Sequence, residues 1–125
     1  MNDPVAFHRD LAAGIALFNQ RRYFDAHEVW EDRWRLESGV PRQLLHGLIQ
    51  LAAAFHQLTV LQSPVGFERL LAKAFPTLRA VGPLCCGVAV GPLLDSAEDC
   101  RGRVAAGQEV EVSETLPRVS YHPPG

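Results

Sequence analysis

The sequence predicts an all-α protein: a single-domain bundle of about five helices with an extended C-terminal arm. Three observations predict it. Apolar residues recur at spacings of three and four, the helical period, in successive segments. Asp3-Pro4 and Ser63-Pro64 each pair a capping side chain with a proline suited to a first helical turn. Alternation of apolar and polar residues begins only past Gly107, where Val110, Val112 and Leu116 stand among acidic residues and Ser113. Residues 1–106 are therefore read as the helical bundle domain and 107–125 as the arm, which ends in Pro117, Pro123 and Pro124. Whether the arm lies over the bundle or pairs with another chain stays open.

The first helix starts with Asp3 as N-cap and runs to about Asn19, its apolar stripe being Phe7, Leu11, Ile15 and Phe18. His8 falls beside that stripe as a partly exposed imidazole. After the turn Gln20-Arg21-Arg22, a second helix ends near Gly39, which suits a left-handed C-terminal cap. The third is expected from Pro41 to about Leu61. Leu44, Leu48, Leu51, Phe55 and Leu58 form one apolar face, and only His46, Gln50 and Gln57 leave a narrow polar strip, so this is the central helix. Ser63 and Pro64 open a fourth helix with Phe67, Leu70, Leu71, Ala74 and Leu78 inward, which Pro76 should kink or break. Gly82 to Gly91 reads as a connector, and a fifth helix covers Pro92 to Ala106, packing through Leu93, Leu94, Ala97, Cys100 and Val104.

A chain of 125 residues, 47% of them hydrophobic, is long enough for one compact core. The net charge of −2 gives no electrostatic footprint for a phosphate backbone, so no nucleic-acid partner is expected. No apolar run reaches the roughly 18 residues a membrane span needs, and the acidic start lacks the basic region of a signal peptide. A cytoplasmic protein with no membrane partner is expected. Cys85, Cys86 and Cys100 lack the paired spacing of a zinc site, and reduced thiols are the expectation, with a vicinal disulfide at Cys85-Cys86 as the alternative.

The stretch 23–37, YFDAHEVWEDRWRLE, carries the candidate chemistry. At about 100° per residue, Phe24, His27, Glu31 and Trp34 share one stripe, flanked by Trp30 on one side and by Glu28 and Arg35 on the other. The aromatic company predicts that this stripe is buried. A buried carboxylate without a partner costs several kcal/mol, roughly, so Glu31 would require a cation, hydrogen-bond donors or a metal. Two readings follow: a hydrogen-bonded pair closed by Arg35 or His56, or a site for a metal or small ligand. His27-Glu28-Val29-Trp30-Glu31 resembles the HExxH zinc motif only superficially, because Glu31 stands where the second imidazole belongs. Glu28 is either a boundary salt bridge or a general base. Trp30 and Trp34 are either core or a stacking platform for a ligand, and Gln50 is an amide that needs partners within an apolar helix. His56 becomes a ligand only where an antiparallel pairing brings it against His27 and Glu31. His46 and His122 are expected to be exposed. The sequence contains no nucleophile elbow and no phosphate-binding glycine loop.

The strings Leu17-Phe18-Asn19, Tyr23 to Glu31 with Trp34, Gly47-Leu48-Ile49-Gln50-Leu51-Ala52 with His56, and Gly66 with Leu70 to Ala74 resemble the small helical bacterial and archaeal proteins grouped as domain of unknown function 309. The resemblance spans roughly residues 7 to 80 and implies an all-helical fold. Some members carry the label of predicted metal-dependent hydrolase, which implies a divalent metal on His27, Glu31 and His56, with Glu28 as catalytic base and Trp30, Trp34 and Gln50 around the ligand. The chain departs from the family at Val60 to Pro64, where a basic, Asn-containing turn is usual. The functional expectation is a non-catalytic ligand- or partner-binding protein with a buried His/Glu/Gln cluster. The alternative is a metal-dependent hydrolase using the same residues. A homodimer is an open arrangement.

Overall fold

The computed structural model describes residues 3–108 and 116–124. Helix α1 spans Pro4–Asn19, and the Asp3 carboxylate accepts the Ala6 N–H at 3.1 Å as its cap. Helix α2 spans Tyr23–Trp34, α3 Gly39–Thr59, α4 Pro64–Arg79 and α5 Val90–Ala105. Successive helices pack on one another, with α3 between α2 and α4 as its apolar breadth requires. Ser63 caps α4 by accepting the Gly66 N–H at 3.1 Å. No helix among the described residues is long and apolar enough to cross a membrane.

The core is aromatic where α1, α2, α3 and α4 meet. Phe18 meets Tyr23 edge-on at 5.0 Å between ring centroids, and Phe55 meets Phe67 at 5.2 Å. Such pairs add about 0.5–1.5 kcal/mol each beyond the burial of their area. Trp30 is fully buried, and its indole N–H donates to the Leu11 carbonyl at 3.2 Å, tying α2 to α1. Beside it Arg33 and Glu37 are buried charges: Arg33 donates to Asp10 of α1 at 3.4 Å and pairs with Glu37 at 3.2 Å, off the hydrogen-bond line.

Four boundaries differ from expectation. Helix α2 stops at Trp34, because the Leu36 and Glu37 N–H groups bond carbonyls three residues back and tighten the last turn. Gly39 is left-handed (φ 65°) as expected of a cap, yet it opens α3. Helix α4 does not end at Pro76. The carbonyl deprived of its partner there belongs to the exposed Ala72, which water can reach. The connector holds a small antiparallel hairpin, β1 (Leu84–Cys85) and β2 (Val88–Ala89), and α5 begins directly after it. Cys86 and Gly87 at its tip both have positive φ, 51° and 84°, the signature of a tight two-residue hairpin turn. For a residue with a Cβ such as Cys86 this costs roughly 1–2 kcal/mol.

Val110 and Val112 of the arm lie outside the described residues. The part that is described lies over the bundle. The Asn19 side-chain amide holds the Val119 backbone at both ends, accepting its N–H at 2.8 Å and donating to its carbonyl at 3.0 Å. Leu116 and Val119 are buried, Tyr121 bridges to Val88, and its hydroxyl lies 2.7 Å from His8 Nδ1.

Candidate functional site

The stripe singled out in the sequence is at the surface, not in the core. The residues of α2 that turn inward are Tyr23, Ala26, Trp30 and Arg33, whereas Phe24 is 51% exposed and His27, Glu31 and Trp34 are half-buried. The reason lies on α1: Gly14 leaves room for the Trp30 indole, the Leu11 carbonyl takes its N–H and Asp10 reaches Arg33, which turns the His27 face outward. The Arg33–Glu37 pair shows that the buried charge on this helix is a neutralised one on the other face.

The outward stripe is not alone. Trp34 meets the His46 ring at 6.0 Å and Phe24 meets the His56 ring at 5.5 Å. The two contacts lie ten residues apart on each helix, so α2 and α3 run antiparallel in step, and Gln50 of α3 is level with Trp30. A groove about 15 Å long at 1.5 Å per residue runs between these end contacts. Along it His27 Nε2 lies 3.1 Å from Glu31 Oε2, and Arg35 donates to Glu31 Oε1 at 2.7 Å. Phe24 lies between the two imidazoles, 5.9 Å from the His27 ring. At the other end the Arg42 guanidinium lies 4.1 Å over the Trp34 ring, in a shallow hollow of about 400 Å³ lined also by Gln43, His46 and Thr77. Two polar atoms, His27 Nδ1 and Gln50 Oε1, are buried without a hydrogen-bond partner among the described residues.

The other expected site residues are placed as follows. Glu28 is exposed, one residue and about 100° around the helix from His27. Trp30 is core, with its ring enclosed and its N–H in use. His122 is exposed, as is His46 on the rim of the groove. Arg42 was not anticipated. Its signal was its place one turn before His46 on α3, which becomes meaningful only once Trp34 is known to lie opposite. A larger depression of about 790 Å³ between α4 and α5, lined by residues such as Pro64, Val65 and Arg101, contains none of the expected residues.

The donor set does not fit a metal ion as arranged. Both Glu31 carboxylate oxygens are engaged, one by His27 and one by Arg35, and a cation would have to displace the imidazole and the guanidinium. His56 is set against Phe24, and among the described residues no three His, Cys, Asp or Glu side chains come together as a metal-holding group.

These features define a small antiparallel helical domain whose two signature segments line one groove. Residues 11–69 match the family model described as Domain of unknown function (DUF309), which bears out the resemblance seen in the sequence. The match covers most of α1, all of α2 and α3 and the start of α4, leaving the hairpin, α5 and the arm outside it. No curated protein matches the chain.

Proposed function

We propose that this chain is a non-catalytic binding protein that takes a polypeptide segment of a partner along the α2–α3 groove. One observation carries the reading: His27 Nδ1 and Gln50 Oε1 have no hydrogen-bond partner among the described residues, in a groove whose end walls, Phe24 and Trp34, remain accessible. Buried polar atoms are normally satisfied; these two are covered in the free chain, and they are the groups a partner's donor or acceptor would satisfy once the His27 and Gln50 side chains turn toward it. The length and shallowness of the groove suit an extended or helical segment better than a compact metabolite. Exposed Leu36 and Val40 beyond Trp34, and Val60 and Leu61 beyond His56, extend the apolar surface at both ends.

Selection of displayed random peptides on the immobilised full chain tests the reading. Enriched peptides should lose at least about tenfold in affinity on Trp34→Ala or Phe24→Ala, the loss typical of an aromatic anchor. Peptides indifferent to both substitutions would place binding elsewhere. Elemental mass spectrometry after dialysis against metal-free buffer, with and without added Zn²⁺ or Mn²⁺, tests the hydrolase alternative. Stoichiometric metal in the wild type that disappears in His27→Ala would overturn the non-catalytic reading.

A further inference from the structure

Cys85 and Cys86 lie outside the groove and outside the family match. Consecutive residues of a strand point to opposite faces, so neighbouring cysteines in extended chain hold their sulfurs apart. The hairpin tip undoes that alternation: left-handed Cys86, followed by left-handed Gly87, brings the two Sγ atoms to 3.7 Å. The turn is held from outside. The Gly87 carbonyl accepts the His122 N–H at 2.8 Å, and Ala89 N–H donates to the Ser120 carbonyl at 3.0 Å. A Cβ on Gly87 would overlap the His122 carbonyl oxygen, so the arm fits against this glycine alone. Cys85 is buried and Cys86 half-buried, and no disulfide joins them.

The sulfur separation distinguishes two uses of such a pair. A disulfide requires about 2.05 Å between sulfurs, far inside the 3.7 Å observed. A single atom bonded to both sulfurs at about 2.3 Å, the zinc–thiolate length, would subtend an angle of about 107° at 3.7 Å, close to a tetrahedral or pyramidal centre. The 3.7 Å is the contact of two reduced thiols, Cys85 donating to Cys86, and it is also a separation that a single third atom spans without moving the turn.

We infer that Cys85 and Cys86 form a dithiol site for one trivalent, hydroxide-bearing thiophilic centre, of the arsenic(III) or antimony(III) class, bound through both sulfurs. Two bonds from the centre to oxygen break and two to sulfur form. The two thiol protons leave on oxygen as water, and no oxidation state changes. Burial pushes the Cys85 thiol up to about 12, so it is protonated at neutral pH. The hydroxide on the centre carries each thiol proton away as water, and with no third His, Cys, Asp or Glu beside the two sulfurs among the described residues the pair lacks the four-ligand set of a structural divalent cation.

Phenylarsine oxide added to the full chain is the probe. One equivalent should attach, reducing the thiols titrated after denaturation from three to one and surviving excess monothiol but not excess dithiol. Because the folded turn prearranges the sulfurs, the adduct should raise Tm by roughly 5 °C or more. Cys100→Ser should keep the adduct, and Cys85→Ser and Cys86→Ser should each lose it. The half-buried Cys86 carries the conclusion if Cys85→Ser fails to fold. No adduct, an adduct that survives Cys86→Ser, or an adduct that leaves Tm unchanged or lowered would overturn the inference, the last because the unfolded chain would then hold the bridge as well as the turn does.

Discussion

Gly14→Ala reads out the contact on which the orientation of α2 depends. Gly14 is buried where α1 and α2 cross, and a Cβ there would overlap the Trp30 indole. Alanine in a helix interior gains about 1 kcal/mol over glycine. Against this, displacing the indole breaks its bond to the Leu11 carbonyl and strands a buried N–H, costing about 1–3 kcal/mol. Overpacking adds about 1–3 kcal/mol more. The net expectation is a loss of about 3 kcal/mol, or a fall in Tm of roughly 10 °C for a chain of this size. Urea unfolding followed by circular dichroism and tryptophan fluorescence measures it. Combining it with Trp30→Phe, which makes room for the methyl, should cost less than the two separate losses together by at least about 0.5 kcal/mol. A neutral or stabilising Gly14→Ala, or strict additivity with Trp30→Phe, would refute the close α1–α2 crossing and with it the reason that the His27 face turns outward.

Three further outcomes are expected. Tyr23 is buried with its hydroxyl unpartnered among the described residues, so Tyr23→Phe should gain up to about 1 kcal/mol at pH 7. Burial pushes the Tyr23 hydroxyl up from 10.0 to about 12, so stability is full below pH 10 and falls as the pH rises toward 12, where the unfolded chain has already released the proton; unfolding curves of Tyr23→Phe across that range should lack this component. Arg33→Ala leaves the Glu37 carboxylate buried and unpaired and should cost about 3–5 kcal/mol, whereas Arg33→Met with Glu37→Leu should recover most of it in denaturant titrations. Asn19→Ala removes both hydrogen bonds to Val119 and should raise hydrogen exchange of the Val119 and His122 amides while leaving the amides of α3 unchanged.

Most of the fold was legible because its determinants are local. Asp3-Pro4 and Ser63-Pro64 mark helix starts by their own chemistry, and the stripe Phe7, Leu11, Ile15, Phe18 states its period without reference to any neighbour; all four are buried. The two-residue strands were not legible, since Leu84-Cys85-Cys86-Gly87-Val88-Ala89 is too short for a period and owes its pairing to the arm that returns to it.

The candidate site was legible only in part: Phe24, His27, Glu31 and Trp34 share one stripe, whereas Trp30 falls in the core, Glu28 points elsewhere and Arg42 was not anticipated. The family strings and the shared stripe of Phe24, His27, Glu31 and Trp34 identify which side chains belong together, because their spacing on one helix is fixed by the helix itself. The burial of that stripe was expected from its aromatic character and is reversed in the fold, because two faces of α2 are aromatic and the sequence of one helix cannot rank them. That choice is made by Gly14, which admits the Trp30 indole against α1, and by Asp10, which reaches Arg33 from the same helix. The sequence by itself determined the helices and the stripe that Phe24, His27, Glu31 and Trp34 share on α2. Only tertiary structure decided which face met solvent and that His46, Gln50 and His56 line the far wall of the groove, because burial depends on the surface that neighbouring helices present.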